Sequence, residues 1–297
     1  MVMPNFLIIG AAKAGTTALH TYLQQHPQIF MTPDKETNFF AYQGETLDFQ
    51  GVGDTAINQF SVTDLVTYQQ LFAGVKDEIA IGEACPLYLY HPQAPQRIAE
   101  HLPGVRLIVI LRNPADRAYA NFLHLVRDDR ELERNFIQAL RGEAQRIQNN
   151  WEWFWHYVQL GYYGCQLKRY YDIFDADKIK VYLYEDLVER CHWLLQDLFN
   201  FLQVDPTFIP DMTIRPNKSG VPKNSILHQF LTKPNLFKTL SKPLFPERFR
   251  QRIQHSNLVT PKLSPEVREF LITLYRSDIL TCQDLIGRDL SAWLQNG

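Results

Sequence analysis

The sequence predicts an α/β protein: a doubly wound parallel sheet flanked by helices, in a single domain with helical and loop additions. Three observations predict it. Short apolar runs bounded by turn residues recur along the chain, segments of helical periodicity separate them, and the first run passes through a glycine-bearing loop into a helix. At 297 residues, 45% hydrophobic and 21% charged, the chain is long enough to bury one such core.

Residues 6–10, 79–82, 105–111 and 179–184 are the apolar runs, read as strands buried on both faces. Helical patterns fill residues 16–25, 64–72, 94–102, 115–126, 132–147 and 161–173. Two regions break the alternation. Residues 41–63 bear glycine and are weakly periodic, which suggests a surface loop or an insertion on the acceptor side. Residues 206–262 are rich in proline and basic residues and read as loops around a short helix, on the cofactor and acceptor side.

Composition excludes several classes of function. A net charge of −2 gives no general attraction to nucleic acid or to an anionic membrane, so any anion site is local. No apolar run approaches the length of a membrane span. The sequence opens without a basic segment and small-residue cleavage site of the secretory kind. Cys85, Cys165, Cys191 and Cys282 are scattered, with neither CxxC pairs nor histidines at ligand spacing. A reducing cytoplasm is the expected compartment, with no metal site.

The stretch "NFLIIGAAKAGTT" carries the chemistry. Gly10 and Gly15 have the spacing of the triphosphatase loop GxxxxGK[ST], but the lysine is Lys13, inside the loop, and Thr16 and Thr17 follow the second glycine. Strand, loop and helix in that order aim backbone N–H groups and a positive helix end at an anion, so Ala12, Lys13, Ala14, Gly15, Thr16 and Thr17 form the candidate cradle. A plain turn with a capping threonine is the competing explanation. The 105–111 run ends in Arg112, where a triphosphatase strand offers an aspartate for Mg²⁺. A ligand with two separated anionic groups and no metal fits this better than a nucleoside triphosphate.

Taken together, several segments resemble the sulfotransferases that use 3′-phosphoadenosine 5′-phosphosulfate (PAPS), in the branch of glycosaminoglycan and bacterial enzymes. "FLIIGAAKAGTTALHTYLQQHPQI" is similar to that family's 5′-phosphosulfate loop, "KETNFF" to its KE-x-x-FF segment, "GEACPLYLY" to its GE-x-SP-x-Y segment, and "LIVILRNPADRAYANF" to its 3′-phosphate segment. "VYLYEDL", "NKSGVPKNS" and the ending "LSPEVREFLITLYRSDILTCQDLIGRDLSAWL" resemble it as well.

The resemblance implies a P-loop-like fold over residues 1–297 and sulfuryl transfer from PAPS, leaving 3′,5′-ADP, to a hydroxyl or amine of a glycan, lipid or small molecule. It implies Glu36 as general base, Lys13 as the group that neutralises charge on the bridging oxygen, Arg112 on the 3′-phosphate and Tyr184 near the adenine. Glu83, at a strand end, is the reserve base, and it and His156, next to the aromatic run of Trp151, Trp153, Phe154 and Trp155, are candidate acceptor contacts. Two positions depart from the family pattern: Ala120 stands where a serine is usual, and Cys85 replaces another serine. Asn121, or the basic loop near Lys218 and Lys223, is expected to compensate for the first. A kinase with an altered phosphate loop and a nucleotide-binding protein with weakened catalysis are the alternative readings.

Overall fold

A computed structural model describes residues 2–213, 220–222, 258–259 and 261–295. Five strands, β1 (Phe6–Gly10), β2 (Ile29–Met31), β3 (Ala80–Ala84), β4 (Arg106–Leu111) and β5 (Ile179–Leu183), form one parallel sheet in the order β2-β3-β1-β4-β5. Every residue of β1 is buried, as are residues 107–111 of β4, which is why both read as unbroken apolar runs. This is the expected doubly wound architecture.

The sheet's order positions the site. The chain leaves β1 for β2 and β3 on one side and crosses to β4 and β5 on the other, so the carboxyl ends of β1 and β4 face a switch point where ligands collect. Out of β1 comes α1 (Thr16–Leu23), then α2 (Phe39–Tyr42), α3 (Thr55–Phe60) and α4 (Leu65–Gln70) before β3. After β3 come α5 (Leu87–Tyr90) and α6 (Ala94–His101). From β4 the chain enters α7 (Pro114–Arg127), where proline sits in the first turn and Asn113 Oδ1 accepts from the Ala115 and Asp116 N–H groups at 3.0 and 3.4 Å.

Helices α8 (Phe136–Arg141), α9 (Glu143–Gln148) and α10 (Tyr163–Tyr171) lead to β5, and α11 (Tyr184–Glu189) and α12 (Cys191–Leu202) follow it. The long α13 (Pro265–Ile286) packs against α10 and α7. Two contacts fasten it: Asp278 accepts from the Gly164 and Cys165 N–H groups at 2.8 and 2.9 Å, and Arg268 pairs with Asp116 at 2.5 Å. A short antiparallel pair, β6 (Val221–Pro222) and β7 (Leu258–Val259), lies beside α7.

Three expectations need correction. Strand β2 is absent from the sequence reading because three residues at a sheet edge carry no periodicity. The helix expected over 132–147 starts at Phe136, where Asn135 Oδ1 accepts from the Ile137 N–H at 3.0 Å, and is divided at Gly142. Residues 41–63 are not all loop. They hold part of α2 and all of α3, tied down by the buried Asp54. Most of the 206–262 region lies outside the described residues.

Candidate active site

The loop between β1 and α1 is fixed by its neighbours. Ala11 N–H donates to the Ile110 carbonyl at 2.7 Å, which ties the loop to β4. Gly15 has φ of 111°, a left-handed value that disfavours a side chain, and a Cβ there would lie 2.6 Å from Leu187 Cδ2. Among the described residues the N–H groups of Ala12, Lys13 and Gly15 find no acceptor. With the opening turn of α1 they form a donor-lined cradle for an anion. Ala14 is set behind it, fully buried, its N–H on the Ala11 carbonyl at 3.3 Å.

The cradle opens on a cavity of about 530 Å³. Ala12, Lys13, Gly15, Thr16 and Thr17 line it together with Glu36, Arg112 and Tyr184, so the structure brings these candidates to one place. Arg112, at the end of β4, donates to the Lys13 carbonyl at 3.3 Å and lies over the Tyr184 ring at 4.8 Å. The stacked guanidinium keeps a planar fork for an oxyanion.

Lys13 is held by a histidine. Its Nζ stands 3.1 Å from Nδ1 of His124, on α7, and Arg127 Nη2 stands 2.8 Å from the same nitrogen. Both neighbours can only donate, so Nδ1 is the acceptor and Nε2 carries the proton, 3.3 Å from Asp128 Oδ2. Burial and then Lys13 push the His124 pKa down to about 3, so the ring is neutral at ordinary pH. Burial and then Arg127 bring the Lys13 ammonium down to about 8.

Glu36 approaches the same cavity from the segment before α2. Its backbone is left-handed, φ 63°, and its N–H donates to the Ala84 carbonyl at 2.9 Å, at the end of β3. Lys35 Nζ lies 3.8 Å from Glu36 Oε1 and donates to Thr17 Oγ1 at 2.8 Å. The carboxylate is therefore both a cavity group and a partner of Lys35.

Other candidates fall elsewhere. Glu83 is fully buried away from the cavity: Oε1 accepts from the Tyr68 and Tyr88 hydroxyls at 2.7 and 2.8 Å and Oε2 from Thr37 at 2.8 Å. Burial raises its pKa. His156 bonds the Tyr90 hydroxyl at 2.8 Å, and burial lowers it to about 4. Neither lines the cavity. Arg117, in the same 3′-phosphate segment, is buried and donates to Asn121 Oδ1 at 3.0 Å and to the Tyr157 carbonyl. Asn121 also donates to the Phe154 carbonyl at 2.8 Å, so its amide is committed, and Ala120 is buried outside the cavity lining. Lys218 and Lys223 lie outside the described residues.

Residues 4–208 match the sequence model of the Sulfotransferase family. The chain belongs to this family of transferases. A crystal structure of a sulfotransferase from Alicyclobacillus acidocaldarius is similar over 99% of this chain and 100% of its own, at 33% identity and a TM-score of 0.80. The membrane-associated sulfotransferase kil1 of Dictyostelium discoideum is 30% identical over 156 residues, 50% of this chain. The human bifunctional heparan sulfate N-deacetylase/N-sulfotransferase 2 is 26% identical over 226 residues, 72% of this chain. The match spans only 30% and 23% of those two proteins' lengths. Among the described residues no helix is long and apolar enough to cross a membrane.

Several residues lining the cavity carry no motif in the sequence: His124, Val188, Cys191 and Met212. Trp153 and Phe154, flagged only as part of an aromatic run, form one wall. That wall is held from behind. Asp54 accepts from Trp155 Nε1 at 3.0 Å and from the Gly51 and Glu152 N–H groups at 2.8 Å each, while Arg130 Nη2 pairs with Asp54 at 2.5 Å and Glu152 at 2.9 Å. Both carboxylates are fully buried, and burial pushes Glu152 up to about 7. The acidic pair and its single arginine thus fasten α3 to the Trp153–Trp155 turn.

Proposed function

We propose that the protein transfers the sulfuryl group of PAPS to a hydroxyl or amine of an acceptor, a glycan or a lipid or other small molecule, by in-line displacement. The observation that carries this reading is the convergence of Lys13, Glu36 and Arg112 on one cavity at the carboxyl ends of β1 and β4. The unpaired loop N–H groups and the two cations fit a ligand with a phosphosulfate at one end and a second phosphate at the other.

PAPS supplies the activated sulfuryl group and a phosphate leaving group. Ala12, Lys13 and Gly15 bind the 5′ end through their N–H groups, and Lys13 Nζ neutralises charge as it grows on the bridging oxygen. Arg112, backed by Tyr184, holds the 3′-phosphate and so fixes the direction of departure. Glu36 takes the acceptor's proton as the new bond to sulfur forms. Trp153 and Phe154 give the acceptor an aromatic wall.

The same reading takes the 297 residues as one domain, supported by the single large sheet, and the cytoplasm as the compartment, supported by four cysteines that are all free. Sulfate transfer from labelled PAPS to a panel of phenols, alcohols, amines and desulfated glycans tests the assignment, with a mass shift as readout. Label transfer to at least one acceptor, with release of 3′,5′-ADP, is the expected result. Phosphoryl transfer from ATP with Mg²⁺ in its place would replace it with the kinase reading.

A further inference from the structure

In the triphosphatase pattern GxxxxGK[ST], the hydroxyl residue two places after the second glycine holds a metal ion. Counted from Gly10 and Gly15, that residue is Thr17. Here its Oγ1 is met by the ammonium of Lys35 at 2.8 Å. An ammonium only donates, so Thr17 Oγ1 is the acceptor of this contact and its own proton is left for another partner. Thr17 lines the cavity, where an anionic oxygen suits that proton.

The same Nζ lies 3.8 Å from Glu36 Oε1. Its setting is not that of an ordinary surface pair, since the Lys35 side chain is only 15% exposed. His20 on α1 and Cys85 just after β3 lie within electrostatic reach of Lys35, and Lys13 in the loop within reach of Glu36. His20 is turned toward the Thr32 carbonyl at 3.0 Å, and burial keeps the Cys85 thiol protonated. Thr17 and Glu36 are the side-chain groups this ammonium contacts directly.

We propose that Lys35 is a positioning residue that sets the Thr17 hydroxyl and the Glu36 carboxylate in one register about the reacting sulfuryl group, standing at Thr17 where a triphosphatase has its divalent cation. This rests on the sulfotransferase reading of the cavity. Lys35 does not line the cavity and acts through its two partners.

The test combines steady-state transfer kinetics with calorimetry of 3′,5′-ADP on Lys35→Met, Lys35→Arg, Thr17→Val, Glu36→Gln and the two Lys35→Met double variants. Lys35→Met is expected to lower kcat about tenfold and to weaken 3′,5′-ADP about three- to tenfold, with acceptor KM little changed. Lys35→Arg restores most of the nucleotide affinity. Lys35→Met adds nothing to the kcat loss of Glu36→Gln or to the affinity loss of Thr17→Val, because the partner it acts through is already gone. Full additivity in both cycles, or a Lys35→Met variant with unchanged kcat and affinity, overturns the proposal. A wild-type protein that prefers ATP with Mg²⁺ to 3′,5′-ADP overturns the sulfotransferase reading and this proposal together. Wild-type binding of 3′,5′-ADP with a silent Lys35→Met overturns this proposal alone.

Discussion

The Lys13 ammonium stands 3.1 Å from a histidine nitrogen, Nδ1 of His124, that has no proton to give. The pair is therefore a cation and a neutral acceptor, which leaves the charge on the lysine. With burial and Arg127 lowering Lys13 to about 8, that charge is present below pH 8 and lost above it. In the free enzyme kcat/KM is expected to fall about tenfold per unit as pH rises past 8. Bound phosphosulfate favours the ammonium, so the limb in kcat lies at higher pH. Lys13→Arg should abolish the limb. A pH–rate profile flat from 7 to 10 in the wild type would remove Lys13 from the chemistry.

The Arg112 guanidinium lies over the Tyr184 ring, so on the proposed function it would hold the 3′-phosphate by charge while the ring holds its plane. Arg112→Ala is expected to weaken 3′,5′-ADP by about 1.5 to 3 kcal/mol, roughly ten- to a hundredfold, measured by calorimetry. Arg112→Lys should recover little of it, because a lysine has neither the fork nor the flat face. Unchanged affinity in Arg112→Ala would place the 3′-phosphate elsewhere.

The two carboxylates at the end of the sheet separate by environment. Glu36→Gln keeps size and cannot accept a proton, so kcat should fall by roughly a hundredfold or more while 3′,5′-ADP binds as before. Glu83→Gln puts an amide among three hydroxyls and should cost about 1 to 3 kcal/mol of stability, read as a lowered Tm. Its folded fraction should turn over normally. The reverse pattern, a stable but inactive Glu83→Gln beside an active Glu36→Gln, would exchange their roles.

Arg130 is the cation between two fully buried carboxylates. Arg130→Met leaves Asp54 and Glu152 facing each other without it, and is expected to cost about 3 to 5 kcal/mol by denaturant unfolding. A loss below 1 kcal/mol would mean that the pair is satisfied by other donors.

The sheet was legible in the sequence where strands are buried on both faces. Residues 6–10 and 107–111 announce themselves because every position there is buried. Strand β2 is not legible, since an edge strand of three residues is defined by the Ala80, Ile81 and Gly82 partners it finds, not by its own pattern. The loop lysine, the arginine ending β4 and Glu36 were legible because each sits at a fixed place relative to a strand end or a quoted motif. His124 was not. It lies on an α7 turn whose spacing gives no hint that Lys13, 111 residues earlier, will meet it. Glu83 read as a site residue because a carboxylate ending a strand usually faces ligand; only the surrounding Tyr68, Tyr88 and Thr37 hydroxyls reveal that it is interior glue.

The central place of β1 has a cost during synthesis. Its two partners, β3 and β4, begin at Ala80 and Arg106, so the uncharged segment FLIIG waits for roughly a hundred further residues before both edges are covered. At ribosomal speed that interval is on the order of 10 s. Nascent chains released before β4 emerges should therefore present a bare apolar strand and associate with one another or with holding chaperones, making translation pace a determinant of soluble yield.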